Sequence, residues 1–288
     1  MTKKITYIQA NIGHCAGIDG CQFSAQAIVQ ATPSIQGKIK YSVDSDSSQR
    51  GEKGLPALVD FSNTLSAVVR KELDLGNFPI ILGGDHSSAI GTWSGAMKEG
   101  KDTGLIWIDA HMDAHTLESS ASKNIHGMPT AVLMGYGDKR LTSIAYDGVK
   151  VKPENIVYIG IRSFEKPEQE LLKKLNATIY YANDVRASSF KECLAKAVKT
   201  FQDKNIDFGI SFDMDSLDIS EMTALGTPVA DGLILNDVVE GFTTVNMTGL
   251  RLLEVVEYNA TLDETGNDVI PVQKVLQCFD NDVIVKQV

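Results

Sequence analysis

Short apolar runs alternate with longer stretches of helical periodicity along this chain. Ile5–Gln9, Lys38–Val43, Phe78–Leu82, Gly104–Asp109, Asn155–Gly160, Thr178–Tyr181, Phe208–Phe212 and Leu250–Val256 predict strands. Phe23–Gln30, Leu55–Leu73, Ser87–Met97, Glu165–Leu175, Ser188–Gln202, Leu235–Thr244 and Val269–Asp280 predict helices. Several strands, such as Phe78–Leu82, are apolar throughout, so both of their faces need cover. Strands of that kind alternating with helices predict an α/β fold: three-layer α/β/α with a mostly parallel central sheet. No repeat or low-complexity tract interrupts the pattern. Ser42–Arg50 and Leu117–Asn124 are polar and Ser-rich and read as loops. The expectation is one domain over residues 1–288.

Sites in such sheets lie beyond the carboxyl ends of strands. Two predicted strands end in alternating ligand-type residues there, Asp109-Ala110-His111-Met112-Asp113 and Asp213-Met214-Asp215. In an extended chain, residues i, i+2 and i+4 share a face, so each run aims its side chains at one point. A row of like charges calls for a cation. A third strand leads into Gly83-Gly84-Asp85-His86-Ser87. Alone, that segment fits a capped turn with a loop histidine as readily as a ligand, and Asp85 fits a cap or a supporting partner. Asp218, three residues beyond Asp215, reads as a loop-holding acid.

The set is His86, Asp109, His111, Asp113, Asp213 and Asp215: four carboxylates, two imidazoles and no thiolate. A structural zinc site is disfavoured. Four negative charges offset two divalent ions, and oxygen-rich ligation with one imidazole per ion points to two Mn²⁺ per chain, with Fe, Co or Ni as competitors. Two ions ~3.5–4 Å apart share a water and lower its pKa toward neutrality, which yields a hydroxide for attack on an electrophilic carbon.

The remaining chemistry is sparser. His86, His111, His115 and His126 are four of the five histidines. His126, in Asn124-Ile125-His126-Gly127-Met128-Pro129, suits a proton shuttle near neutral pH and equally a loop histidine bonded to backbone. His14 is assigned no role. Glu254 and Glu257 close the last strand. Glu257 is placed to grip a planar cation through two parallel hydrogen bonds, although pattern alone favours a surface acid.

Composition narrows the partners. The net charge of −10 over 288 residues argues against nucleic acid and against an anionic membrane surface. Cys15, Cys21, Cys193 and Cys278 form no CxxC pair; Cys15 and Cys21 could pair, but scattered thiols fit a reducing cytosol better. The amino terminus lacks a signal-peptide apolar core, and no apolar run approaches the ~20 residues that span a bilayer. A cytoplasmic protein is the expectation.

The motifs resemble the ureohydrolase family, the arginases and agmatinases. The matching segments are Gly83–Ser87, Asp109–Asp113, Ser211–Asp218, Gly226-Thr227-Pro228 and Glu257-Tyr258-Asn259, in the family's order. The resemblance implies that His86 and Asp113 hold one Mn²⁺, His111 and Asp215 the other, and that Asp109 and Asp213 bridge them. It implies that Asp113 orients the bridging hydroxide, Glu257 grips the guanidinium, His126 moves protons and Thr227 lines the pocket. The Asn124–Pro129 stretch is similar to arginases, which hydrolyse L-arginine to L-ornithine and urea. Ser120, Ser122 and Asn124 then correspond to groups that read the α-carboxylate, and Glu165 falls near the acid that receives the α-amino group. The chain departs from that pattern at His115, where Asn is common, at Ser120, at Ser163 and Glu165, and at Asp231. His115 stands among the substrate contacts. The alternative within the family is an agmatinase, guanidinobutyrase or related amidinohydrolase. The resemblance also implies a small-molecule guanidine substrate and a homo-oligomer, trimer or hexamer. A binuclear phosphoesterase or peptidase would need a phosphate or backbone clamp that the sequence lacks. A non-catalytic scaffold would predict decay of a ligand set that is complete.

Overall fold

The computed structural model describes residues 3–45 and 49–280. Eight strands form one sheet: β1 (Ile5–Asn11), β2 (Ile39–Asp44), β3 (Phe78–Gly83), β4 (Gly104–Ile108), β5 (Ile156–Ile161), β6 (Thr178–Tyr181), β7 (Phe208–Asp213) and β8 (Leu250–Val256). Their order is β2-β1-β3-β8-β7-β4-β5-β6, and every pairing is parallel. The sheet is therefore wholly parallel among the described residues.

The strands alternate as continuous apolar strands must. Ile106 and Ile108 of β4, with Ile80 and Leu82 of β3, face a core closed by the helices Ser24–Ala31, Phe190–Asp203, Leu235–Thr244 and Val269–Asp280. Leu105 and Trp107 of β4, with Ile81 of β3, face the opposite core, under the helices Leu55–Asp74 and Ser88–Ala96. Both faces of these central strands are covered, and each such aliphatic side chain contributes about 1.5–3 kcal/mol on burial. This is the three-layer α/β/α arrangement.

Four short helices escape the periodicity: Pro33–Gln36, Pro129–Leu133, Lys139–Thr142 and Ala182–Ala187. Pro129 opens Pro129–Leu133, its fixed φ suited to the first helical position. Ala182–Ala187 ends at Ser188, and the Ser189 hydroxyl then accepts the Glu192 N–H at 3.1 Å to restart the chain as a separate helix at Phe190. The Ser42–Arg50 expectation is corrected in part: Ser42–Asp44 completes β2, and residues 46–48 lie outside the described residues. Leu117–Asn124 carries no helix or strand, as expected of a loop. Cys15, Cys21, Cys193 and Cys278 are free and buried.

One topological feature positions the site. β3 and β4 are consecutive in the chain yet stand apart, with β8 and β7 between them. Strand order runs outward in opposite directions on either side, and a crevice opens beyond the carboxyl ends at such a switch point.

Candidate metal centre and active site

Four neighbouring strands, β3, β8, β7 and β4, feed this crevice. At the end of β3 the chain passes so close to Ile12 that a Cβ on Gly84 would sit 1.7 Å from the Ile12 carbonyl oxygen. Only glycine fits there. Asp85 is fully buried; it accepts the Cys15 N–H at 2.9 Å and the Ser87 N–H at 3.0 Å, so it holds the turn rather than facing the crevice. The turn delivers His86, whose ring lies flat on Trp107 with centroids 4.0 Å apart.

The ends of β4 and β7 depart from the alternating geometry that their sequences suggest. β4 stops at Ile108, and Asp109–Asp113 is irregular backbone. Asp109 accepts the His111 N–H at 2.6 Å across its own turn, and the indole of Trp107 donates to it at 2.8 Å. Asp113 sits at φ 48°, a conformation disfavoured for a non-glycine residue. Thr130 pins it by donating to the Met112 and Asp113 carbonyls at 3.0 and 2.8 Å. After Asp213 the chain turns through Met214–Ser216, and Asp213 accepts the Asp215 N–H at 2.7 Å. Turn hydrogen bonds, not an extended strand, aim these carboxylates.

They converge nonetheless. His86 Nδ1 lies 3.3, 3.1 and 2.9 Å from carboxylate oxygens of Asp109, Asp113 and Asp213. His111 Nδ1 lies 3.1 Å from Asp215 and 3.6 Å from Asp109. Ligand atoms of His86, Asp109 and Asp113 form one cluster of metal-binding size, and those of Asp109, His111 and Asp215 a second that shares Asp109.

The electrostatics call for cations. Burial and the Asp109 charge push the Asp113 carboxyl up to about 7. Burial and the charges of Asp215 and Asp109 push Asp213 well above the ordinary carboxylate range. Burial opposes a charged His111, but Asp215 and Asp109 overcome it and raise the imidazole to about 12. Carboxylates this close cannot all ionise unless positive charge joins them. The buried Nδ1 of His86 has no hydrogen-bond partner although three carboxylates surround it. A buried imidazole nitrogen ringed by carboxylate oxygens offers the donor types that a divalent cation takes, so the residues present fit divalent metal.

A cavity of about 380 Å³ opens over the cluster, lined among others by His111, Asp113, Asp213, Asp215, His126, Thr227 and Glu257. Glu257 is buried and held at φ 65°, its N–H bonded to the Gly84 carbonyl at 2.9 Å. Its Oε1 accepts the His86 N–H at 2.7 Å and lies 3.0 Å from His126 Nδ1. Burial works against the Glu257 charge, but His126 and the His86 N–H outweigh it and lower its pKa. Burial likewise opposes a charged His126, and Glu257 prevails, raising the imidazole to about 9. Thr227 donates to Asp215 at 3.0 Å.

At the outer rim, His115, Ser122, Asn124 and Glu165 line the cavity, and Ser120 does not. The Ser120 hydroxyl instead accepts the Lys123 N–H at 3.0 Å inside its own loop. That loop must reverse direction, and Ser120 supplies its internal bond. His115 Nε2 stands 3.1 Å from Glu165 and 3.2 Å from Glu168. Glu168 was not anticipated. Its signal was the Glu165-x-x-Glu168 spacing of a capping box, which the structure contains. Arg162 was also missed as a working residue: its guanidinium donates to the carbonyls of Asp215 (2.8 Å), Ser216 (3.1 Å), Leu217 (3.1 Å), Val229 (2.8 Å) and Ala230 (3.0 Å). It staples the β7 turn to the Thr227 loop. Asp218 accepts from Ser220 and Gly232 and holds the same loop. His14 is buried elsewhere, 3.3 Å from the Gly54 carbonyl.

Comparison with known proteins gives the family and the fold. Residues 8–279 match the model of the Arginase family. An arginase of Bacillus caldovelox is 36% identical over 216 residues, 74% of this chain and 71% of that protein. The solved arginase of Bacillus caldovelox superposes with a TM-score of 0.90 at 28% identity, covering 97% of this chain and 99% of that one. An Entamoeba histolytica arginase solved in complex with L-ornithine gives a TM-score of 0.86 at 30% identity, covering 96% of this chain and 99% of that one. On the family match and the shared fold, the chain belongs to the Arginase family.

Proposed function

We propose that the protein is a binuclear manganese hydrolase that cleaves the guanidinium group of L-arginine to L-ornithine and urea. One observation carries this reading: six metal-competent groups converge beneath one cavity, and four of them, His111, Asp113, Asp213 and Asp215, line it together with Glu257 and His126. His86 and Asp113 would hold one Mn²⁺, His111 and Asp215 the other, with Asp109 and Asp213 between them. The pair supplies a water whose pKa is drawn toward neutrality.

The protein's own groups do the rest. Glu257, kept ionised by His126 and the His86 N–H, takes the planar guanidinium and sets its carbon over the cluster. Asp113, rigid at its pinned turn, orients the water. As the water oxygen adds to the guanidinium carbon and the bond to the side-chain nitrogen breaks, that nitrogen takes one water proton and one from His126, which regains its proton from the water, so that the amine leaves as an ammonium and urea is neutral. His126 Nδ1 is engaged by Glu257, so Nε2 makes the transfer. Ser122, Asn124, His115 and Glu165 read the amino-acid end of the substrate; Ser120 shapes their loop from behind. Thr227 steadies Asp215 at the pocket wall.

One observation favours a second reading. Glu165, the acid placed to receive an α-ammonium, is already paired with His115. That suits a guanidine acid without the ammonium, such as 4-guanidinobutyrate. Urea release from arginine, agmatine and 4-guanidinobutyrate, measured on Mn²⁺-loaded protein, tests both. Turnover of arginine above the other two is expected; inert arginine beside rapid turnover of another would overturn the first reading.

The protein is further proposed to act as a single domain in the cytoplasm, as a homotrimer or hexamer without nucleic-acid or membrane partners. No helix among the described residues is long and apolar enough to cross a membrane. Light scattering on the purified holoenzyme tests the assembly.

A further inference from the structure

Below the carboxylates lies a second layer of polar groups that the reading above does not use. Sheet register creates it. Trp107 of β4 is paired with Ser211 of β7, and Ser211 with Glu254 of β8. All three therefore stand in one row across the sheet. Two residues further along β7, on the same face, comes Asp213. The row lies one pleat beneath the metal centre, and the His86 ring stands against it.

The hydrogen bonds in this row have a definite direction. Glu254 is fully buried. It accepts from Ser211 Oγ at 2.8 Å, from Trp93 Nε1 at 2.8 Å and from Ser88 Oγ at 3.2 Å. No lysine or arginine is among these partners. A carboxylate can only accept, so the single Ser211 proton goes to Glu254. Ser211 Oγ is then an acceptor toward His86 Nε2, 3.0 Å away. A proton on Nε2 leaves the Nδ1 lone pair facing Asp109, Asp113 and Asp213. Trp107, stacked beneath the same ring, fixes its tilt and ties Asp109 into the row. Gly209 makes the row possible, since a Cβ there would meet the Trp93 ring at 2.5 Å.

We propose that Glu254, acting through Ser211, is a positioning residue that fixes the tautomer and orientation of His86 and so sets the affinity of the inner of two metal sites. The inference rests on the metal reading above. A buried carboxylate without a cation is costly, and an apolar side chain would fill the space at lower cost. What only an acceptor does here is command the Ser211 proton, and through it the His86 proton. Such outer partners change metal affinity by about 10–100-fold.

The test is stepwise Mn²⁺ binding to the full chain, followed by manganese electron paramagnetic resonance and by intrinsic fluorescence. Both tryptophans of the chain lie in this row or bond to it, so fluorescence reads the site directly. Wild type should bind two ions and give a spin-coupled pair. Ser211→Ala should weaken one site only, by about 10–100-fold, with isolated-ion spectra at loadings where wild type is coupled. Glu254→Gln keeps the shape and leaves Ser211 a neutral acceptor, so its loss should be smaller but confined to the same site. In Zn²⁺-loaded protein, nuclear magnetic resonance should find a slowly exchanging Nε2–H on His86 that is lost in Ser211→Ala. A merely structural role would lower the melting temperature without splitting the two sites or moving that proton. Wild-type affinity at both sites in Ser211→Ala and Glu254→Gln, with the Nε2–H unchanged, would overturn the relay. Failure of wild type itself to take two ions would overturn the metal reading beneath it.

Discussion

The inner end of the crevice and its outer rim are built in different ways. At the inner end, each metal-competent carboxylate is buried and tied to a group outside the cluster: Asp109 to Trp107, Asp113 through its backbone to Thr130, Asp213 through its backbone to Ser216, Asp215 to Thr227. At the rim, Ser120, Ser122 and Asn124 sit on a loop whose hydrogen bonds are mostly its own, and Glu165 is 61% exposed. The inner groups gain their geometry from turns anchored on the ends of buried sheet strands and tied to the packed groups around them, before any ligand arrives. The rim gains its geometry from local turns, and there a changed residue alters what is recognised without disturbing the chemistry.

The largest effect should come from the inner end. Asp213→Ala removes the group proposed to bridge both ions. Metal analysis should find fewer than two Mn²⁺ per chain, and turnover should fall by about 10³-fold or more. Two ions retained would break the distinction between the ends, because the inner geometry would not then depend on its carboxylates.

His126→Asn comes next. His126 belongs to neither end; it sits between them, bonded to Glu257. Loss of a positioned acid or base costs about 10²–10⁴-fold in kcat, and the metal content should stay at the wild-type level. Unchanged turnover with metal bound would refute the shuttle.

The same pair gives a pH dependence. The His126 pKa in the folded, metal-free protein is raised to about 9, above the ordinary ~6.5 of an unfolded chain. Folding thus tightens the hold on this proton. The resulting stability is fully present below pH ~6.5 and is lost as pH rises through ~9. Denaturant unfolding of metal-free wild type and His126→Asn should differ most near pH 6, by at most about 3 kcal/mol, and converge above pH ~9. A difference flat in pH would show that the Glu257 contact is not charged.

The contrast between the ends also explains what the sequence discloses. Strands such as Phe78–Leu82 and Gly104–Ile108 are legible because burial on both faces leaves no polar position. The metal-competent groups beyond such strands are legible because charges after an apolar run have few other reasons to be there. Their geometry is not: the alternating pattern suggests a straight strand through Asp113, yet the chain turns after Ile108 and Asp113 takes a positive φ. The Arg162 staple and the Trp107–Ser211–Glu254 row are hidden for a further reason. Each depends on which strands become neighbours and in what register, and β4, β7 and β8 are far apart in the chain. The Ser120 hydroxyl is misread because a serine in a loop serves a ligand or its own turn with equal ease.

The smallest effect belongs to the rim, and it sharpens the comparison most. His115 Nε2 lies within 3.1 and 3.2 Å of the Glu165 and Glu168 carboxylates, and its Nδ1 lies 3.0 Å from Ser119 Oγ. His115→Asn is shorter and uncharged, so it should free Glu165 to meet an α-ammonium while leaving every metal-competent group in place. The ratio of kcat/KM for arginine over 4-guanidinobutyrate should rise by about 10-fold, equivalent to about 1.4 kcal/mol of discrimination. The change should lie in KM, with kcat for arginine within about 2-fold of wild type because ground-state and transition-state binding shift together. An unchanged ratio would mean that Glu165 does not read the substrate. A large fall in kcat would mean that the rim and the metal centre are coupled, and that the division drawn here between a rigid inner end and an adaptable rim is false.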